Sequence, residues 1–202
     1  MLLRSISLIS MLFVSACTYQ HTTDVYDKTM ANAGLNDRHD YVRQGDWVLA
    51  RDVQLALFPL ADDAAPDTPR TALELNRVVI HEFTSAFAHA TVFDTSTEAV
   101  PALLHEAFYR QCNVAVVVRL VDVNNQLNTW NEWQEGSHQH PDKSRGRDEL
   151  TLQFLIFETQ TQRLLDRITL TSEAAYFKSD DAIPLDLIAE AVQRFVDDIS
   201  PH

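Results

Sequence analysis

Residues 114–118 read Val-Ala-Val-Val-Val, and the apolar run goes on through Leu120, Val121 and Val123. β-Branched side chains are stiff at χ1 and fit a pleated strand. An unbroken apolar run leaves neither face for water, so 114–118 predicts a central strand covered on both sides. What lies on either side of it must supply the two covers.

Downstream, Asn124–Asp148 is polar, contains Gly136, Pro141 and Gly146, and is long for a hairpin loop, so the flanking strands are expected to extend into it. Leu150–Phe157 predicts a strand, Thr159–Gln162 a turn, and Leu164–Ala174 a returning strand with alternation at Ile168 and Leu170. Pro184 suits the first position of a closing helix whose inner face is Ile188, Ala191, Val192, Phe195 and Ile199.

Upstream, Val48–Leu60 predicts a strand in which Val53, Leu55 and Leu57 alternate with Gln54, Ala56 and Phe58. Pro59 and the loop Ala61–Pro69 end it. Leu75, Val79, Phe83 and Phe87 recur every fourth residue and predict a helix over Thr71–His89. Ala90–Phe93 is a short strand. Ser96 or Thr97 can cap a second helix with a buried stripe of Val100, Leu103, Leu104, Ala107, Phe108 and Cys112. The order is β-α-β-α-β-β-β-α. Its first half requires parallel crossovers and its second half is an antiparallel meander. The economical solution is an α/β (α+β) domain: a single mixed β-sheet with helices packed on it.

The amino terminus has the parts of a secretion signal. Arg4 gives a cationic start, and Ile6 to Val14 form an apolar stretch too short to span a bilayer, which needs about 20 residues. Val14-Ser15-Ala16-Cys17 then matches the lipobox, whose small residues fit the signal peptidase and whose thiol takes a diacylglyceryl group. The chain therefore divides into a signal peptide (1–16), an acylated cysteine and tether (17–46), and one domain (47–202). Buried methylenes contribute about 0.8 kcal/mol each, so two or three acyl chains on Cys17 hold a protein at a membrane. Thr18 stands where aspartate would signal inner-membrane retention, so sorting to the outer membrane, with the domain facing the periplasm, is expected. Cys112 then has no partner, and its place in an apolar stripe predicts a buried, inert thiol.

The chain carries 29 acidic and 16 basic residues, a net charge of −13. That charge repels phosphate backbones, so nucleic acid is not an expected partner.

The lipobox, Phe58-Pro59-Leu60, the helix through Phe83 and Phe87, the Val114–Val118 strand, Asn131-Glu132-Trp133 and Phe154-Leu155-Ile156-Phe157-Glu158-Thr159 together resemble an uncharacterised family of small bacterial lipoproteins. The element order also resembles periplasmic α/β domains such as the amino-terminal domain of TolB and the lipoprotein activators of peptidoglycan synthases. The resemblance implies an envelope lipoprotein and carries over no catalytic residue.

No constellation of residues singles out an enzyme. Glycine occurs four times, too seldom for phosphate-binding loops or a nucleophile elbow. His81 and Glu82 lie beside the buried stripe of one helix, with Ser85 four residues from His81 on the same face, but no Gly-x-Ser-x-Gly turn exists. Asp62, Asp63 and Asp67 lack calcium-loop spacing. His138 and His140, with Asp142 and His81, His89 or His105 as remote candidates, could contribute to a metal site, but nothing in the spacing supplies the three or four converging ligands, so neither a metal nor another cofactor is expected. Trp130 and Trp133 lie in the long polar segment and are the expected partner-binding residues, since tryptophan is enriched in interface hot spots. The expected function is that of a non-enzymatic, outer-membrane-anchored envelope accessory or assembly protein whose partner is an unidentified envelope protein. The alternative is a small-molecule or metal-binding envelope lipoprotein.

Overall fold

A computed structural model describes residues 30–31, 38–61, 69–94, 99–124, 149–173 and 185–200. It contains a single mixed sheet of six strands: β1 (Arg38–Arg43), β2 (Leu55–Phe58), β3 (Ala90–Val92), β4 (Val114–Asn124), β5 (Glu149–Glu158) and β6 (Arg163–Glu173). The helices are α1 (Pro69–Ala86), α2 (Val100–Tyr109) and α3 (Leu185–Ile199). The strand order is β1-β6-β5-β4-β2-β3. β2 is parallel to β3 and β4, and the pairings β4–β5, β5–β6 and β6–β1 are antiparallel. The chain is thus an α/β protein with the mixed sheet that the element order requires.

The apolar run at 114–118 is buried throughout because each face has its own core. Val114, Val116 and Val118 point to the face covered by α1 and α3, where Leu75, Val79, Phe83, Ile188, Val192 and Phe195 meet Leu57, Leu152, Phe154 and Ile168. Ala115 and Val117 point to the opposite face, where Leu103, Leu104 and Ala107 of α2 meet Phe58, Phe93 and Leu155. In the larger core Phe154 and Phe195 have ring centroids 4.8 Å apart, and Phe83 sits 6.0 Å from each. These rings join α1, α3 and β5 at separations where aromatic pairs add to area burial. In the smaller core Phe58 and Phe93 lie 4.8 Å apart.

α2 covers only the β2–β4 half of its face. Beyond it the sheet presents cross-strand rows such as Arg119–Gln153–Thr169–Val42 and Asp122–Thr151–Thr171–Asp40. The threonine hydroxyls of Thr151 and Thr171 are 3.3 Å apart on this face. An antiparallel half-sheet tolerates such a polar side, whereas the parallel strand β2 between β3 and β4 is buried at all four positions.

Several sequence expectations shift. Residues 38–43, assigned to the tether, form β1 and pair with β6 from Arg38↔Glu173 to Arg43↔Ile168. An edge strand tolerates charges, so Arg38-His39-Asp40-Tyr41-Val42-Arg43 lacks the apolar alternation of an inner strand. The strand expected over 48–60 shrinks to Leu55–Phe58, all four residues buried. Before it, Val53 N donates to Ala50 O in a turn and Leu49 N donates to Ile199 O. α2 begins after Ala99, which gives no side-chain cap, with Pro101 in its first turn; Ser96 and Thr97 lie outside the described residues, as does Pro184.

A buried ionic clasp fixes β1. The Asp166 side chain is fully buried and accepts hydrogen bonds from Arg43 Nε (3.1 Å), Arg43 Nη2 (3.0 Å), Gln44 N (3.2 Å) and Gly45 N (2.7 Å). Arg43 also reaches Asp198 at the end of α3 (2.7 Å) and Trp47 O (2.7 Å). Burial works against the Arg43 charge, but Asp198 and Asp166 outweigh it and raise its pKa. Gly45 fits a close approach: a Cβ there would lie 3.0 Å from Leu165 O and 3.1 Å from Asp166 Cγ, tight enough that a neighbour would have to give. A second clamp joins α1 to the end of β2, where Asn76 accepts from Leu60 N (2.8 Å) and donates to Leu60 O (2.9 Å).

Candidate interaction surface

The end of the sheet that carries the β5–β6 turn is built from three segments brought together by topology. β4 enters there at Val114, antiparallel to β5, which leaves at Glu158. β1 runs antiparallel to β6, so the chain after Arg43 continues towards the start of β6, where Trp47 meets Arg163. α2 ends beside them. Its last turn closes with Gln111 N donating to Phe108 O (2.9 Å) and Cys112 N to Ala107 O (3.0 Å). This is the Schellman pattern, in which the residue after the C-cap adopts the left-handed conformation that glycine prefers. Here that residue is Gln111, with φ 63.

The turn is tied to β4. Thr159 N donates to Asn113 O (3.0 Å), and its buried hydroxyl donates to Cys112 O (2.5 Å) and Asn113 O (3.1 Å). Beside these bonds lies an open cleft of about 310 Å³ lined by Phe108, Gln111, Cys112, Asn113, Glu158, Thr159 and Gln160.

Apolar side chains are concentrated here. Of the ten large hydrophobic residues exposed among the described residues, Trp47, Val48, Phe108, Tyr109 and Leu164 all lie at this end. Tyr109 is 81% exposed and Phe108 52%. The Arg163 guanidinium carbon lies 6.0 Å from the Trp47 ring centroid, at cation–π range. Exposed apolar side chains gathered in one place mark interaction sites, whereas scattered ones do not.

The residues singled out in the sequence are placed as follows. Cys17, Trp130 and Trp133 lie outside the described residues, as do His138, His140, Asp142, Asp62, Asp63 and Asp67. His81 and Ser85 are both exposed on α1, and no hydrogen bond joins them. His105 is on α2, across the sheet from α1, so His81 and His105 cannot converge on one ion. Among the described residues no group of three or more histidine, cysteine, aspartate or glutamate side chains is placed to hold a metal. No described helix is long and apolar enough to cross a membrane. Cys112 is buried and unpaired; burial raises its thiol pKa, against a smaller lowering by Arg110.

Phe108, expected in the buried stripe of α2, is instead half exposed. Leu103, Leu104 and Ala107 centre the stripe, and at about 100° per residue Phe108 falls on its flank. Trp47 gave no sequence signal beyond its residue type, because Gly45-Asp46-Trp47-Val48 follows neither a helical nor a strand period.

No family model and no curated protein matches the chain. Among solved structures it is similar to the PelC dodecamer from Paraburkholderia phytofirmans, at a TM-score of 0.53 and 12% identity, over 77% of this chain and 96% of that one. A single-substitution variant of PelC in another crystal form gives 0.52 and 11%. At such identity the likeness is one of fold alone. The comparisons give no support to the resemblance to the uncharacterised lipoprotein family or to TolB.

Proposed function

We propose that this chain is a lipid-anchored domain of the bacterial envelope that works by protein contact, not by catalysis. The observation that carries this is the exposure of Trp47, Val48, Phe108, Tyr109 and Leu164 at the same end of the sheet. Tryptophan and tyrosine supply most of the binding energy in many interfaces, and they concentrate where water is excluded. The lipobox at Val14–Cys17 supports an anchor on Cys17, and Thr18 supports sorting to the outer membrane. PelC, which shares the fold, is a dodecamer; a second copy of this chain is therefore a natural first partner alongside another envelope protein, with Trp130 and Trp133 as further contact residues.

The test is analytical ultracentrifugation of the acylated chain in detergent, with crosslinking in native membranes. The expected result is an oligomer or a discrete crosslinked partner that a Trp47→Ala/Tyr109→Ala variant loses while its circular dichroism is unchanged. A wild-type chain that sediments as a monomer and crosslinks to nothing would overturn the proposal. Membrane extraction of a Cys17→Ala variant tests the anchor independently: it should move to the soluble fraction.

A further inference from the structure

We propose that the cleft beside the β5–β6 turn is a receptor for a basic side chain, lysine or arginine, presented by a protein partner. The inference rests on the contact function proposed above and gives that contact a chemistry.

The lining decides the sign of the guest. Phe108, Gln111, Asn113, Glu158 and Gln160 surround the cleft, and no lysine, arginine or histidine lines it. Carboxamide oxygens and a carboxylate accept hydrogen bonds from ammonium or guanidinium groups. Thr161 Oγ1 donates to Glu158 Oε2 and holds the carboxylate in place. Among the described residues nothing bonds the other Glu158 oxygen or the side-chain amides of Gln111, Asn113 and Gln160. An anionic guest would meet Glu158 within a chain of net charge −13.

The nearby cations of the chain have other partners, although the Arg110 charge is felt at Cys112 in the cleft wall. Arg110 Nη2 is 3.9 Å from Glu106 Oε1. Arg163, opposite Glu158 in register, lies against Trp47. The half-exposed Phe108 ring gives a guest cation a π face and gives its methylene stem an apolar wall.

The backbone adds a separate observation. Among the described residues two non-glycine residues have positive φ: Gln111 at 63, which lines the cleft, and Gln162 at 56, in the β5–β6 turn. Left-handed backbone is disfavoured for a non-glycine residue, and such strain collects at binding sites. Glycine would relieve it at 111 but would remove an amide from the cleft.

The experiment is an NMR titration of the ¹⁵N-labelled full-length protein in detergent micelles. The probes are a blocked Gly-Gly-Arg-Gly-Gly peptide and its citrulline counterpart, which keeps the shape and loses the charge. The arginine peptide should shift the amides of residues 111–113 and 158–160 saturably, and the citrulline peptide should not. Glu158→Gln should weaken arginine-peptide binding about tenfold while preserving the dispersed spectrum, and Phe108→Ala should weaken it several-fold. Equal binding of the two peptides, indifference to Glu158→Gln, or no saturable shift at these amides would each overturn the proposal. If the titration fails while Trp47→Ala/Tyr109→Ala still abolishes assembly, only the cleft receptor falls. If assembly fails as well, the contact function falls with it.

Discussion

Replacing Arg43 by methionine keeps an unbranched stem and removes the guanidinium. The Asp166 carboxylate, fully buried, would then lose two of its four hydrogen bonds and its counter-charge. Removing one partner of a buried ion pair costs about 3–5 kcal/mol. The low end applies, about 3 kcal/mol, because the Gln44 and Gly45 amides still hold Asp166 and the Arg43 side chain is itself 13% exposed. The loss should be local as well as global. β1 is an edge strand held by β6 on one side, so its amides should exchange faster than those of β4 and β5 before the whole domain opens. Urea unfolding by circular dichroism gives the global value, and hydrogen exchange read by mass spectrometry gives the local one. A global loss under about 1 kcal/mol, or equal acceleration in β1 and in β4–β5, would refute the clasp.

Four further outcomes are expected. Phe195→Ala opens a void among Phe83, Phe154 and α3 and should cost about 3–5 kcal/mol in urea unfolding, against an exposed-site control near zero. Gln111→Gly should raise stability by about 0.5–1 kcal/mol, because glycine takes the left-handed turn without strain; a destabilised variant would show that the glutamine side chain is held in the folded state. Cys112 should react with iodoacetamide more slowly than a free thiol at pH 8, and the rate should still be climbing above the ordinary cysteine range, because burial raises its pKa. The same sign means that this thiol's contribution to stability is intact below the unfolded pKa of about 8.5 and is lost as pH rises through the higher folded value. Asn76→Ala should cost about 2 kcal/mol in thermal or urea unfolding by removing its two hydrogen bonds to the Leu60 backbone.

The inner half of the fold was legible in the sequence for a plain reason. A strand buried on both faces must be apolar at every position, and an amphipathic helix must repeat its apolar positions nearly every fourth residue. Val114–Val118, Leu75–Phe87 and Ile188–Ile199 obey those rules because they have no alternative surface to show. The rules weaken at the rim. β1 carries five charged or titratable residues in six and is recognisable as a strand only once β6 is beside it. Phe108 follows the helical period and is still half exposed, because it falls on the flank of the stripe that Leu103, Leu104 and Ala107 centre.

The contact surface shows the same division. Sequence reasoning chose Trp130 and Trp133 from residue type, and they lie outside the described residues. Trp47, Phe108 and Glu158 are separated by 61 and 50 positions along the chain and share no motif. They come to one end of the sheet through the antiparallel return of β6, the crossover of α2 and the clasp on Asp166.

The sequence by itself determined a mixed α/β sheet with helices on it, because burial on two faces, burial on one and helical amphipathicity each leave a distinct period. Which exposed side chains stand next to one another was decided only by the tertiary structure, because adjacency across strands depends on register and crossover direction, and those are set by long-range pairing that no local period records.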